Sequence, residues 1–240
     1  MCCECLFFGD KLMKLLNYFS TFEKILWSVS VSVIIAAFVL SGGGDSLSLI
    51  ASLIGVTFLI FNAKGNPVGQ FLTIVFSILY GVISYSFSYY GEMITYLGMT
   101  APMALLALIS WLKHPYKGNK SQVSVNTISK KEVGFMLLLT TAVTIVFYFI
   151  LEAFKTANII PSTFSVATSF LAVYLTFRRS PYFALAYASN DLVLIVLWTM
   201  ASAENKSYVS VLVCFIVFFV NDLYGFVNWK KMQKNQNTGS

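Results

Sequence analysis

Charge is what this chain has least of. Of its 240 residues 11% are charged and 58% are hydrophobic, whereas soluble domains carry about 25% charged residues. With 16 basic and 10 acidic side chains, a soluble domain of this length could neither hide its apolar surface nor cover what stayed exposed. Histidine is almost missing too. The single one, His114, leaves no basis for a His-rich metal centre or a Ser/His enzyme. Long polar stretches are equally scarce: only residues 113–132 suffice for a polar loop, so no separate soluble domain is expected. There is no Gly-x-x-x-x-Gly-Lys-Ser/Thr loop to cradle nucleotide phosphates. No metal and no cofactor is expected. Of four cysteines, Cys2, Cys3 and Cys5 read as reduced thiols at a cytoplasmic terminus, and Cys214 as a small apolar residue.

What the chain does have is apolar runs and aromatics, with 22 Phe and 13 Tyr. A spanning helix needs about 20 mostly apolar residues to cross about 30 Å of hydrocarbon. Eight runs qualify: residues 25–41, 46–63, 67–88, 93–112, 133–154, 162–177, 181–202 and 208–229. The breaks between them hold breakers or charges, such as Lys64-Gly65-Asn66, Gly91-Glu92 and Arg178-Arg179-Ser180. Numbering the spans in order puts both termini on one side, together with every basic residue except Lys155 and Lys206. Basic residues flanking spans stay in the cytoplasm, so both termini are expected there. The same rule accounts for the pI near 9.1, and nucleic acid is not an expected partner. Acidic residues precede the first run and no small-residue cleavage site follows it, so a cleaved signal peptide is not expected. Residues 10–24 read as an amphipathic helix on the inner membrane surface.

A repeat organises the spans. Leu59–Pro67, LIFNAKGNP, falls on Val173–Pro181, VYLTFRRSP, at an offset of 114 residues. Each stretch ends an apolar run, carries a basic turn and restarts a helix at Pro, a residue suited to a first helical position. Further on, at an offset of 118, Trp111-Leu-Lys meets Trp229-Lys-Lys. Spans 2–4 thus match spans 6–8 in the same sense across the membrane, a parallel repeat of the kind transporters use. The expected fold is an all-α polytopic membrane protein: a 3+1+3 helix repeat preceded by one additional span. Residues 1–45 would hold the amphipathic helix and the extra span, 46–113 the first three-helix bundle, and 114–157 a cytoplasmic loop and linker helix. Residues 158–231 would form the second bundle and 232–240 a cytoplasmic tail.

Two carboxylates fall inside spans, Asp191 and Asp222, each within Asn-Asp-Leu. Such a group costs about 2.5–3.5 kcal/mol at the bilayer centre and marks a functional site by default. Tyr187, Asn190, Asp191, Leu194 and Trp198 share one helix face. The equivalent face of span 3 carries Gln70, Thr73, Ser77, Tyr80 and Ser84. Two matching polar faces suit a cavity on the repeat axis. With Asn221, the candidate ligand-binding residues are Gln70, Ser77, Tyr80, Tyr187, Asn190, Asp191 and Trp198. An acid, amides and aromatic faces favour a flat, polar and preferably cationic ligand. Pro102 in span 4 is expected to kink that helix. Transport is the class these features favour over intramembrane hydrolysis, a proton relay or a ligand-free structural subunit.

Residues 81–115, GVISYSFSYYGEMITYLGMTAPMALLALISWLKHP, and 189–198, SNDLVLIVLW, resemble the PnuC family of bacterial vitamin transporters. The most specific points are Gly91-Glu92-Met93, Pro102-Met103 and Trp111, and the likeness covers residues 46–231. It implies a small-molecule vitamin as substrate, typically nicotinamide riboside, with thiamine or riboflavin for relatives. It further implies a SWEET-like fold in the bacterial inner membrane and facilitated diffusion, with phosphorylation trapping the vitamin. Assembly with further copies of the chain stays open. The Trp-x-x-Trp expected on the acid-bearing helix reads Ala184-x-x-Tyr187 here, which leaves the choice of vitamin open.

Overall fold

A computed structural model describes residues 18–43, 46–86, 90–156, 158–204 and 206–238. Its helices are α1 (Thr21–Leu40), α2 (Ser46–Ala63), α3 (Pro67–Ser86), α4 (Tyr90–Lys113), α5 (Lys130–Ala153), α6 (Ile159–Phe177), α7 (Tyr182–Glu204) and α8 (Val209–Thr238). All eight are long and apolar enough to cross a membrane. Large apolar side chains that would be a liability in water point outward, such as Leu138 on α5 at 69% exposure. They are at home against lipid. This is a multi-pass membrane protein.

The eight spans fall close to the apolar runs, and the departures have local causes. Ser20 caps α1 by accepting from the Glu23 N–H while Glu23 reaches back to the Ser20 N–H, a capping box. Residues 21–24 therefore belong to the spanning helix rather than to a surface helix over 10–24. Residues 10–17 of that expected helix, and Cys2, Cys3 and Cys5, lie outside the described residues. At the other end α8 runs on to Thr238, so the expected tail is helical over residues 232–238. Residues 114–129 are also more than a loop. They contain a hairpin, β1 (Pro115–Tyr116) paired antiparallel with β2 (Asn119–Val123).

Segment 114–129 braces the basic face. Val123 N–H donates to the Gly65 carbonyl at 2.9 Å and Asn126 N–H to the Arg179 carbonyl at 3.0 Å. Gln236 on α8 donates to the Val123 carbonyl at 3.1 Å and accepts from the Val125 N–H at 2.7 Å.

Gly65 and Arg179, which stand 114 residues apart, both have positive φ, 66° and 57°. Trp229 Nε1 donates to the Asn62 carbonyl at 2.7 Å, and Trp111 Nε1 donates to the Thr176 carbonyl at 2.9 Å. The two indoles, fully buried, lie 5.4 Å apart between ring centroids. Each Trp thus reaches across to the other helix triplet. Two seams join the triplets, α2 against α8 and α4 against α6. α1 packs on α2 and α8, whereas α5 packs mainly on α6.

Within α4, the Pro102 irregularity takes the form of a π turn over Tyr96–Thr100, where the Ala101 N–H bonds to the Tyr96 carbonyl. Pro102 lacks an N–H, and the helix widens in the turn just before it. Such bulges concentrate at functional sites, and this one carries Tyr96 and Thr100 into the interior.

Candidate functional site

α2, α3, α4, α6, α7 and α8 enclose a cavity of about 50 Å³. Its polar lining is Asn62, Thr73, Tyr96, Thr100, Ser169, Tyr187, Asn190, Asp191 and Asp222, and its apolar lining includes Phe58, Phe76, Phe183, Phe215 and Phe218. Both triplets contribute.

The two acids come from adjacent helices, Asp191 on α7 and Asp222 on α8, and their buried carboxyl groups lie close enough to interact directly. Two buried carboxyl groups this near each other resist ionising together. Asp191 Oδ2 is buried without a partner. A cation placed beside the pair would let both ionise, which is the chemistry of a site for organic cations. Asn190 is fixed by three hydroxyls: its Oδ1 accepts from Ser165 (3.1 Å), Thr168 (2.9 Å) and Ser169 (3.0 Å), all on α6. Its oxygen is thereby committed, and its amide nitrogen is the group left to donate to a ligand.

On the opposite wall Asn62 is held by Gln70, whose Nε2 donates to Asn62 Oδ1 at 2.8 Å, and Asn62 Nδ2 donates to Thr73 at 3.3 Å. Gly69 makes this possible. A Cβ there would sit 2.2 Å from Asn62 Oδ1.

Of the residues expected from sequence, Tyr187, Asn190 and Asp191 line the cavity. Gln70 acts one step behind it through Asn62. Ser77 is buried and donates to the Thr73 carbonyl of its own helix, a common fate of hydroxyls in spanning helices. Tyr80 stacks on Phe76 at 5.5 Å and lies 4.5 Å from Tyr96, just beyond the cavity. Trp198 packs on Tyr208 at 5.6 Å in the apolar core farther from the basic face. Asn221 turns to α1, donating to Ser30 at 3.0 Å. Asp222, an intramembrane acid whose role the sequence left open, also lines the cavity. Asn62, Tyr96, Thr100 and Ser169 were missed. Asn62 could have been found from its place at the end of a span in the repeated turn.

Among the described residues no cluster of three or more His, Cys, Asp or Glu could hold a metal. Eight membrane-length helices, six of which line a polar cavity shared by both triplets, give the architecture of a membrane transporter. The chain belongs to the nicotinamide mononucleotide transporter family, whose model matches residues 45–231. It is similar to the nicotinamide riboside transporter PnuC of Neisseria mucosa, 25% identical over 78% of this chain and 73% of that protein. It is also similar to the nicotinamide riboside transporter PnuC of Haemophilus influenzae, 22% identical over 80% of this chain and 82% of that one. The fold matches a crystal structure of the vitamin B3 transporter PnuC with a TM-score of 0.79 at 22% identity, covering 91% of this chain and 94% of that chain.

Proposed function

We propose that this protein carries nicotinamide riboside, or a vitamin cation of similar shape, across the bacterial inner membrane by facilitated diffusion. The observation that carries this reading is the buried Asp191–Asp222 carboxyl pair beside the Asn190 amide, in a cavity built by both triplets. The names of the relatives support the choice of vitamin. The charge asymmetry of the loops supports cytoplasmic termini.

The matched turns and exchanged Trp bonds support a duplicated, SWEET-like arrangement in which the triplets rock against each other. At about 50 Å³ the cavity has room for water, while ligand sites span about 300–1,000 Å³. The conformation described is therefore contracted, and a vitamin enters only when the triplets part.

The test is counterflow of labelled nicotinamide riboside in proteoliposomes. Asp191→Asn and Asp222→Asn each lower it, to comparable extents because the two acids act as a pair. Wild-type counterflow in both variants would reject the site. Competition by thiamine and riboflavin identifies the vitamin. Ala184, fully buried where the Trp-x-x-Trp pattern has an indole, gives thiamine a place in that panel.

A further inference from the structure

Gly91-Glu92 reads in the sequence as a break between spans, yet both residues lie in the first turn of α4. Gly91 lets α4 meet the end of α5: a Cβ there would lie 2.6 Å from Leu151 Cδ2 and 2.9 Å from Thr156 Oγ1. Glu92 lines a second, smaller cavity of about 20 Å³ at the α4/α6 seam, together with Tyr96, Ser162, Ser165 and Ser169. The Glu92 carboxylate meets the Tyr80 hydroxyl, and Glu92 Oε2 is buried with no hydrogen-bond partner. A carboxylate so placed is incomplete.

Tyr96 and Ser169 line both cavities, so the two are neighbours separated by a single layer of side chains. The layer is chemically continuous. Ser165 and Ser169 face Glu92 and also hold Asn190. Tyr80 stacks on Phe76, and Tyr96 lies tilted against Tyr80, along the way. Ring faces attract cations, so these rings connect the Glu92 carboxylate to the Asp191–Asp222 pair.

Building on the transport reading above, we propose that Glu92 is an outer selectivity residue for flat organic monocations. It draws the cationic ring in at the α4/α6 seam and passes it along the aromatic wall to Asp191 and Asp222, with Tyr96 as the partition. Its contribution is to capture, so it acts on apparent affinity rather than on turnover.

The experiment compares uptake of nicotinamide riboside with uptake of its uncharged dihydro form in proteoliposomes holding wild type, Glu92→Gln or Glu92→Asp. Glu92→Gln raises KM for the cation roughly tenfold, the ratio expected for losing one partly desolvated charge pair. Maximal rate and KM for the neutral form stay at wild-type values, and Glu92→Asp recovers part of the loss. An unchanged KM for the cation, or an equal rise for both forms, would overturn the proposal and leave the transport reading standing. The second of those results is the signature of a merely structural Glu92. Wild type that moves neither form would overturn both.

Discussion

The half from α1 to α4 and the half from α5 to α8 use the same local bonds for different purposes. Ser20 caps α1 and Ser129 caps α5, each accepting from the N–H of a Glu three residues on, at 3.3 Å in both cases. Glu23 then pairs with Lys64 at 3.1 Å, and Glu132 pairs with Arg178. Lys64 and Arg178 are the corresponding residues of the repeated turn. In bond pattern α1 resembles α5.

The difference lies in burial. Glu23 is 2% exposed and also accepts from the Tyr224 hydroxyl at 2.9 Å, tying α1 to α8. Glu132 and Arg178 are 19% and 37% exposed. One acid seals the α2/α8 seam. The other stands at the edge of α6, and the α4/α6 seam keeps the small cavity that Glu92 lines.

Thermal unfolding in detergent can break or sharpen that contrast. Glu23→Ala costs about 3 kcal/mol, because it strands the Lys64 ammonium in a mostly buried place. Glu132→Ala costs less than about 1 kcal/mol, as an open ion pair does. The reverse order would break the comparison.

The next effect is at the turn itself. Gly65→Arg costs about 1–2 kcal/mol for the left-handed backbone, and crowding adds to it, since a Cβ would lie 3.1 Å from Met232 Cε. Arg179→Gly stays within about 0.5 kcal/mol, the relieved strain being offset by a freer unfolded chain. The guanidinium it removes gains little where it is, because burial and neighbouring Arg178 push its pKa down.

Smaller than the cost of Gly65→Arg is the effect at the indoles. Trp111→Phe and Trp229→Phe each lose about 0.6 kcal/mol for the exchanged hydrogen bond, equally in both halves. Unequal losses would show that one seam carries more of the basic-face closure.

Much of the fold was legible because membrane spans advertise themselves by length of apolar run. The ends were less so. Residues 230–238 are polar, and a helix that leaves the hydrocarbon loses the signal by which it was found. The matched turn was legible because a left-handed residue followed by a helix-starting turn constrains the sequence on both sides. The site was legible where cost made it conspicuous, at Asp191 and its helix neighbours. It was not legible at Asn62, Thr100 or Ser169, because amides and hydroxyls serve equally as glue between helices or as bonds to their own backbone. Glu92 was misread since a Gly-Glu pair at the edge of an apolar run looks like a loop until packing against Leu151 is known.

α8 couples depth to surface. Asp222 and Gln236 stand on one unbroken rod, fourteen residues and so about 21 Å apart along its axis. A tilt of about 5° pivoting at Asp222 would carry Gln236 sideways by about 1.8 Å over that length. That is enough to part its 2.7 Å and 3.1 Å bonds to the hairpin segment. The helix is therefore a lever arm, long enough for a small adjustment around the acids to be read out as release of the hairpin at the far end.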